Sequence, residues 1–255
     1  MNPIPYKINS TQQLIFFGSD ENYQSLVDLI ESNIKLVETY FSSKTAINMQ
    51  IIQNVNHKNP SFSSTGSGPT IRLVASNNYA YAQYVFQFSH ELCHAQIRKD
   101  GDDSLSLRDT WFEEVICEVS SRFFLNKMSA DENLNRSLYP HPAFKDYALN
   151  RTSEIEIVDL VVLSNEESHL LNMFRSEVEN GTYANDETRS RYNYIANFIY
   201  PIFEENPELW QEVYLIHNFS NEKGFIENLI SWKNESQRDE NKKSIQKIIN
   251  LFGNN

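Results

Sequence analysis

Residues 88–95 read F-S-H-E-L-C-H-A, with His90 and His94 four apart and Glu91 directly after the first histidine. On an α-helix, positions i and i+4 lie on one face, so both imidazoles can aim at one metal ion. Glu91 sits about 100° around the helix, where it can reach a water on that metal but is poorly placed to be a ligand. Two ligands and a general base thus come from a single turn, as a hydrolytic zinc site requires. The plain alternative is an ordinary helix that happens to carry two histidines. A catalytic zinc also needs a third protein ligand, and that requirement decides between the two.

A candidate lies downstream. Residues 111–118 read W-F-E-E-V-I-C-E, and Val115, Ile116, Val119, Phe123 and Phe124 mark the segment as partly core. Glu114 and Glu118 are four apart and share a face. A buried carboxylate is costly unless it is paired or bound to metal. Zinc on Glu114, with Glu118 accepting a hydrogen bond from a ligand histidine, satisfies both. The alternative is that Glu113, Glu114 and Glu118 line a solvated stripe.

The elements that must position these residues follow from periodicity. Residues 21–41 carry Leu26, Leu29, Ile30, Ile34, Val37 and Tyr40 at helical spacing. Two β-branched runs, 47–55 and 70–76, read as strands, and H-K-N-P-S-F-S-S-T-G-S-G-P between them reads as a loop. A long helix is expected from about Asn78 through the histidines to Lys99, ended by K-D-G-D-D-S at 99–104. Another is expected from Arg108 to Lys127, and Pro140 and Pro142 then punctuate a loop. Helices follow at roughly 155–180, 187–206, 207–219, 223–236 and 239–252. The expected class is α+β, with a mixed first part (1–128) and an all-helical second part (129–255) packed against it.

The bulk numbers narrow the partners. The chain has 255 residues and a net charge of −12, which argues against nucleic-acid binding through phosphate neutralisation. No stretch approaches the roughly 18 apolar residues needed to span a bilayer. The N-terminal residues carry no basic region followed by an apolar run, so no signal peptide is read. The two cysteines, Cys93 and Cys117, sit in apolar helix patterns. They read as buried thiols of a reducing compartment rather than a disulfide, and a cytoplasmic location is expected.

With these residues in hand, the chain resembles the gluzincin metallopeptidases, the group that includes thermolysin and aminopeptidase N. In the thermolysin branch the third ligand follows the second histidine after nineteen intervening residues, inside an N-E-A-I-S-D pattern. His94 to Glu114 has that spacing, and E-E-V-I-C-E at 113–118 is similar to that pattern. The aminopeptidase branch has a spacing one shorter, which points to Glu113, but its W-L-N-E pattern counted from Trp111 again gives Glu114. The resemblance implies a zincin-like fold, with a small mixed sheet beside the active-site helices. It implies zinc held by His90, His94 and Glu114, and Glu118 in the acidic place behind the ligands.

The same resemblance reaches further along the chain. The aminopeptidase branch stabilises the oxyanion with a tyrosine at the start of an apolar helix. Residues 192–210 resemble that segment in layout, which maps Tyr192 onto the role and Tyr194 next to it. His141, His169 and His217 lie in no context matching the catalytic histidine of the thermolysin branch. The aminopeptidase G-x-M-E-N signature is absent, so no device holds a free amino terminus. The family's sheet edge pairs with extended substrate, which implies that 70–76 does so here.

The implied function is that of a zinc-dependent, peptidase-like hydrolase acting on a peptide or protein substrate. Glu91 takes the proton of a water activated at the zinc and passes it to the leaving amine, while Tyr192 steadies the oxyanion. Two other readings stand beside it: an inactive binding protein on the same scaffold, and an effector or toxin protease of narrow specificity. Intact Glu91 speaks against the inactive form.

Overall fold

The computed structural model describes residues 4–7, 12–16, 23–41, 49–53, 61–65, 68–74, 80–98, 109–131, 141–150, 160–180 and 186–253. Three helices dominate the first 130 residues: α1 (Tyr23–Glu38), α2 (Tyr81–Ile97) and α3 (Thr110–Ala130). α1 forms where the spacing expects it. Leu26, Leu29, Ile30, Ile34 and Val37 are buried along one stripe. Glu31 and Lys35 pair at 2.8 Å on its outer side. α2 and α3 differ in kind. Residues 84–97 of α2 and 110–125 of α3 are buried on every side. A helix buried all round must carry its polar groups inside, and these two carry most of the buried charge among the described residues.

Five strands accompany the helices: β1 (Ile4–Lys7), β2 (Gln12–Phe16), β3 (Met49–Gln53), β4 (Ser61–Thr65) and β5 (Gly68–Leu73). Their order is β1-β2-β3-β5-β4. β2 and β5 flank β3 in parallel, whereas β1 pairs with β2 and β4 with β5 antiparallel. α2 packs on β5, β4, α1 and α4 (His141–Asn150).

Several expectations need correction. Helix makes up 81% of the residues described with their side chains, and the only strand among those is the end of β5 at 70–73. The chain is therefore mostly helical, not the expected α+β zincin-like class. The physical reason is length: each strand is four to six residues, whereas α1, α2 and α3 run 16, 17 and 21. β5 is not a sheet edge either, since β3 and β4 occupy both its sides. The 70–76 run therefore cannot add a substrate strand along 70–73. Ser61–Thr65, read as loop, is a strand, and His141–Asn150, read as loop, is a helix. The expected helix break at 99–104 lies outside the described residues.

The chain divides into two compact units. The first joins Met1–Asp103 with Ser120–Arg151, and the second joins Ser104–Val119 with Thr152–Asn255. The chain thus passes between units three times, and α3 runs unbroken through one passage. In the first unit, Tyr40 and Phe41 pack edge-on or tilted against Phe123 and Phe124 of α3.

The second unit holds α5 (His169–Glu179), α6 (Asp186–Glu205), α7 (Phe225–Glu235) and α8 (Asp239–Leu251), with 3₁₀ segments at Leu160–Ser164 and Pro207–Asn218. Its core is aromatic. Trp111 stacks on Phe174 at 5.1 Å and meets Phe225 at 4.8 Å. Phe112 packs with Phe219, Phe225, Trp232 and Phe252. The unit also holds a polar network, buried at Asp109, Arg175 and Asn228 and exposed at Glu166. Arg175 donates Nε and Nη2 to Asp109 Oδ1 at 3.0 and 2.8 Å, and Nη1 to Glu166 Oε2 at 2.7 Å. Asn228 Nδ2 donates to Asp109 Oδ2 at 3.0 Å, and Glu166 Oε1 accepts the Phe225 N–H at 2.7 Å. Burial disfavours the charge on Arg175, but its bonds and attraction to Glu166 and Asp109 outweigh this and raise its pKa. A Cβ on Gly224 would meet Glu166 Oε1 at 2.8 Å, so a side chain there would displace that carboxylate.

Candidate metal centre

α2 presents the histidines as the i, i+4 spacing expects. The His90 and His94 rings stand edge to face with centroids 5.0 Å apart. They are 6% and 4% exposed, and Glu91 between them is 4% exposed. The helix is pinned on three sides within the first unit. Gln87 Oε1 accepts the Val74 N–H at 2.9 Å and its Nε2 donates to the Val74 carbonyl, which ties the exit of β5 to the middle of α2. Asn33 Nδ2 of α1 donates to Ser89 Oγ at 3.0 Å. Ser120 Oγ of α3 donates to the Ser89 carbonyl, also at 3.0 Å. These last two bonds fall one residue before His90.

α3 brings its own donors. Glu113, Glu114 and Glu118 are all buried, as is Arg122 one turn beyond Glu118. They are not a solvated stripe. Between them lies Cys117, fully buried and not in a disulfide. Cys117 is the residue that joins the histidines: the ligand atoms of His90, His94 and Cys117 all lie within 4.8 Å of one another. Among the described residues, neither Glu114 nor Glu118 belongs to that group. Cys93, buried on α2, is also outside it.

This buried trio could hold a metal ion. Its donor chemistry fits: two imidazoles and a sulfur suit zinc and its borderline neighbours, and they do not suit the oxygen-seeking magnesium or calcium. Sequence reasoning missed Cys117. Its signal was available only as a cysteine three residues after Glu114, which reads the same whether it is core or ligand.

Tyr192 lies on α6 in the second unit, 2% exposed, with its ring 5.3 Å from Phe174. That is the packing of a core aromatic. Tyr194 is half-buried, and its ring meets the exposed Phe198 at 5.1 Å. No helix among the described residues is long and apolar enough to cross a membrane.

Compared with models of known protein families, with curated proteins and with solved structures, the chain matches none. The resemblance to gluzincins therefore rests on the motif residues alone, and a His-x-x-x-His pair near a cysteine does not by itself identify that family.

Proposed function

We propose that this protein is a zinc-dependent hydrolase that cleaves peptide bonds in a reducing compartment such as the cytoplasm. The observation that carries the reading is the buried gathering of His90, His94 and Cys117 on α2 and α3, with Glu91 beside the first histidine. His90 and His94 would hold the metal, and α3 would supply the third donor from the turn spanning Glu114 and Cys117. A bound zinc ion would supply Lewis acidity, polarising a substrate carbonyl and making water acidic near neutral pH. Glu91 does the proton work. It takes a proton from the attacking water and hands it to the departing amine, so its carboxylate starts and ends ionised. A reducing compartment keeps the Cys117 thiol available as a donor.

One observation favours a second reading. The three donors are 6%, 4% and 0% exposed, which suits a closed metal site that staples two helices and does no chemistry. Two measurements separate the readings. Elemental mass spectrometry of the purified protein is expected to find one zinc per chain. A broad peptide panel is then expected to show cleavage that is lost in Glu91→Gln while the zinc stays. Zinc without cleavage of any peptide would support the stapling site, and no zinc in the folded protein would sink both.

A further inference from the structure

We infer that Cys117, and not Glu114, is the third metal ligand, so that the centre is a site of two imidazoles and one thiolate. This rests on the metal reading above and settles its chemistry. Distance supports it first. The donor atoms of His90, His94 and Cys117 lie within 4.8 Å of one another, and the Glu114 carboxylate is not among them. A tetrahedral zinc with Zn–N of about 2.0–2.1 Å and Zn–S of about 2.3 Å sets its donors roughly 3.3–3.6 Å apart. The difference of about 1 Å is within reach of side-chain torsions, without a shift of either helix.

Helix direction supports it independently. The Ser120–Ser89 bond marks the stripe of α3 that faces α2, one residue from His90. At about 100° per residue, Cys117 lies roughly 60° from Ser120 around the helix, whereas Glu114 lies roughly 120° away. Cys117 is therefore nearer the α2-facing stripe. Asn33 holds Ser89 from the other side, so this stripe is fixed at the turn that carries the histidines.

Chemistry completes the case. Cys117 is fully buried and not in a disulfide, so it is not oxidised to a partner cysteine. A thiol bound to a divalent ion gives up its proton outright. Thiolate is softer than carboxylate and donates more charge, which makes the site selective for zinc or cobalt over magnesium, calcium or manganese.

The test loads the full-length protein with cobalt(II) and records its absorption spectrum. The wild type is expected to show sulfur-to-cobalt charge-transfer absorption in the near ultraviolet. Cys117→Ser should lose it, and Glu114→Gln should keep it. Cobalt bound by the wild type without that absorption would overturn the inference while leaving the metal reading standing. So would a spectrum that survives Cys117→Ser and is lost in Glu114→Gln. No cobalt bound by folded wild type would overturn the metal reading and this ligand assignment together. X-ray absorption of the zinc-loaded wild type covers the case in which a variant fails to fold. A sulfur scatterer at about 2.3 Å is expected, and a shell of nitrogen and oxygen alone would overturn the assignment.

Discussion

Among single side chains, the proposed proton transfer falls to Glu91, which is 4% exposed and directly follows His90. Glu91→Gln keeps the shape and removes the base. It is expected to lower kcat by roughly 10²–10⁴-fold on any peptide that the wild type cleaves, with zinc content unchanged. Equal kcat in the two proteins would end its role as base. Tyr192 is 2% exposed, with its ring 5.3 Å from Phe174. Tyr192→Phe should leave kcat unchanged, whereas Tyr192→Ala should cost about 3–5 kcal/mol in denaturant unfolding. A fall in kcat for Tyr192→Phe with full zinc content would instead restore the oxyanion role that the family resemblance implies. His90, Glu91 and His94 were legible because both ligand positions fall within one helical turn. Cys117 was not. A cysteine among Val115, Ile116 and Val119 has the pattern of a core residue, and only the placement of α2 beside it gives the sulfur another use.

Elements hold these side chains in place. The bond from Ser120 to the Ser89 carbonyl is a buried, neutral one. Ser120→Ala should cost about 0.5–1.5 kcal/mol, read by denaturant unfolding of the metal-free protein. No measurable loss would mean that apolar contacts alone set the α2–α3 spacing. Arg175 of α5 and Asp109, directly before α3, are 4% and 3% exposed. Arg175→Met leaves the Asp109 charge buried and should cost about 3–5 kcal/mol. A loss below about 1 kcal/mol would show that the network contributes little. The raised pKa of Arg175 sets the pH sign: stability from this charge is full at neutral pH and is lost only as pH climbs through its raised value, above the usual guanidinium range. α1, α2, α3, α6, α7 and α8 were legible to within a few residues, because their apolar spacing is strong, whereas of the helix expected at 155–180 only His169–Glu179 is α-helical, and Pro207–Asn218 is 3₁₀. α4 was missed because Pro140 and Pro142 read as loop, yet Pro142 is the second helical residue, where a missing N–H is no loss. β4 was missed because Ser and Gly compose it and its neighbourhood, and its pairing to β5 is made by backbone rather than side-chain pattern.

For the whole molecule, the division into units matters more than the count of helices and strands. The start of α3 is clustered with the C-terminal helices. A fragment of residues 129–255 would lack Asp109, Trp111 and Phe112, and with them the partners of Arg175, Phe174 and Phe225. That fragment should be helical by far-ultraviolet circular dichroism but show no cooperative melting. A sharp transition in it would mean that the C-terminal helices form a domain by themselves. No sequence pattern could expose this arrangement, because periodicity reports which face of a helix is apolar and not which distant segment covers it.

The same arrangement sets a clock on biosynthesis. Asn228, which binds Asp109, lies 119 residues later in the chain. At roughly 5–20 residues per second, a ribosome needs on the order of 6–24 s to make that stretch. Through that interval the nascent chain carries Trp111 and Phe112 without the aromatic cluster that later encloses them.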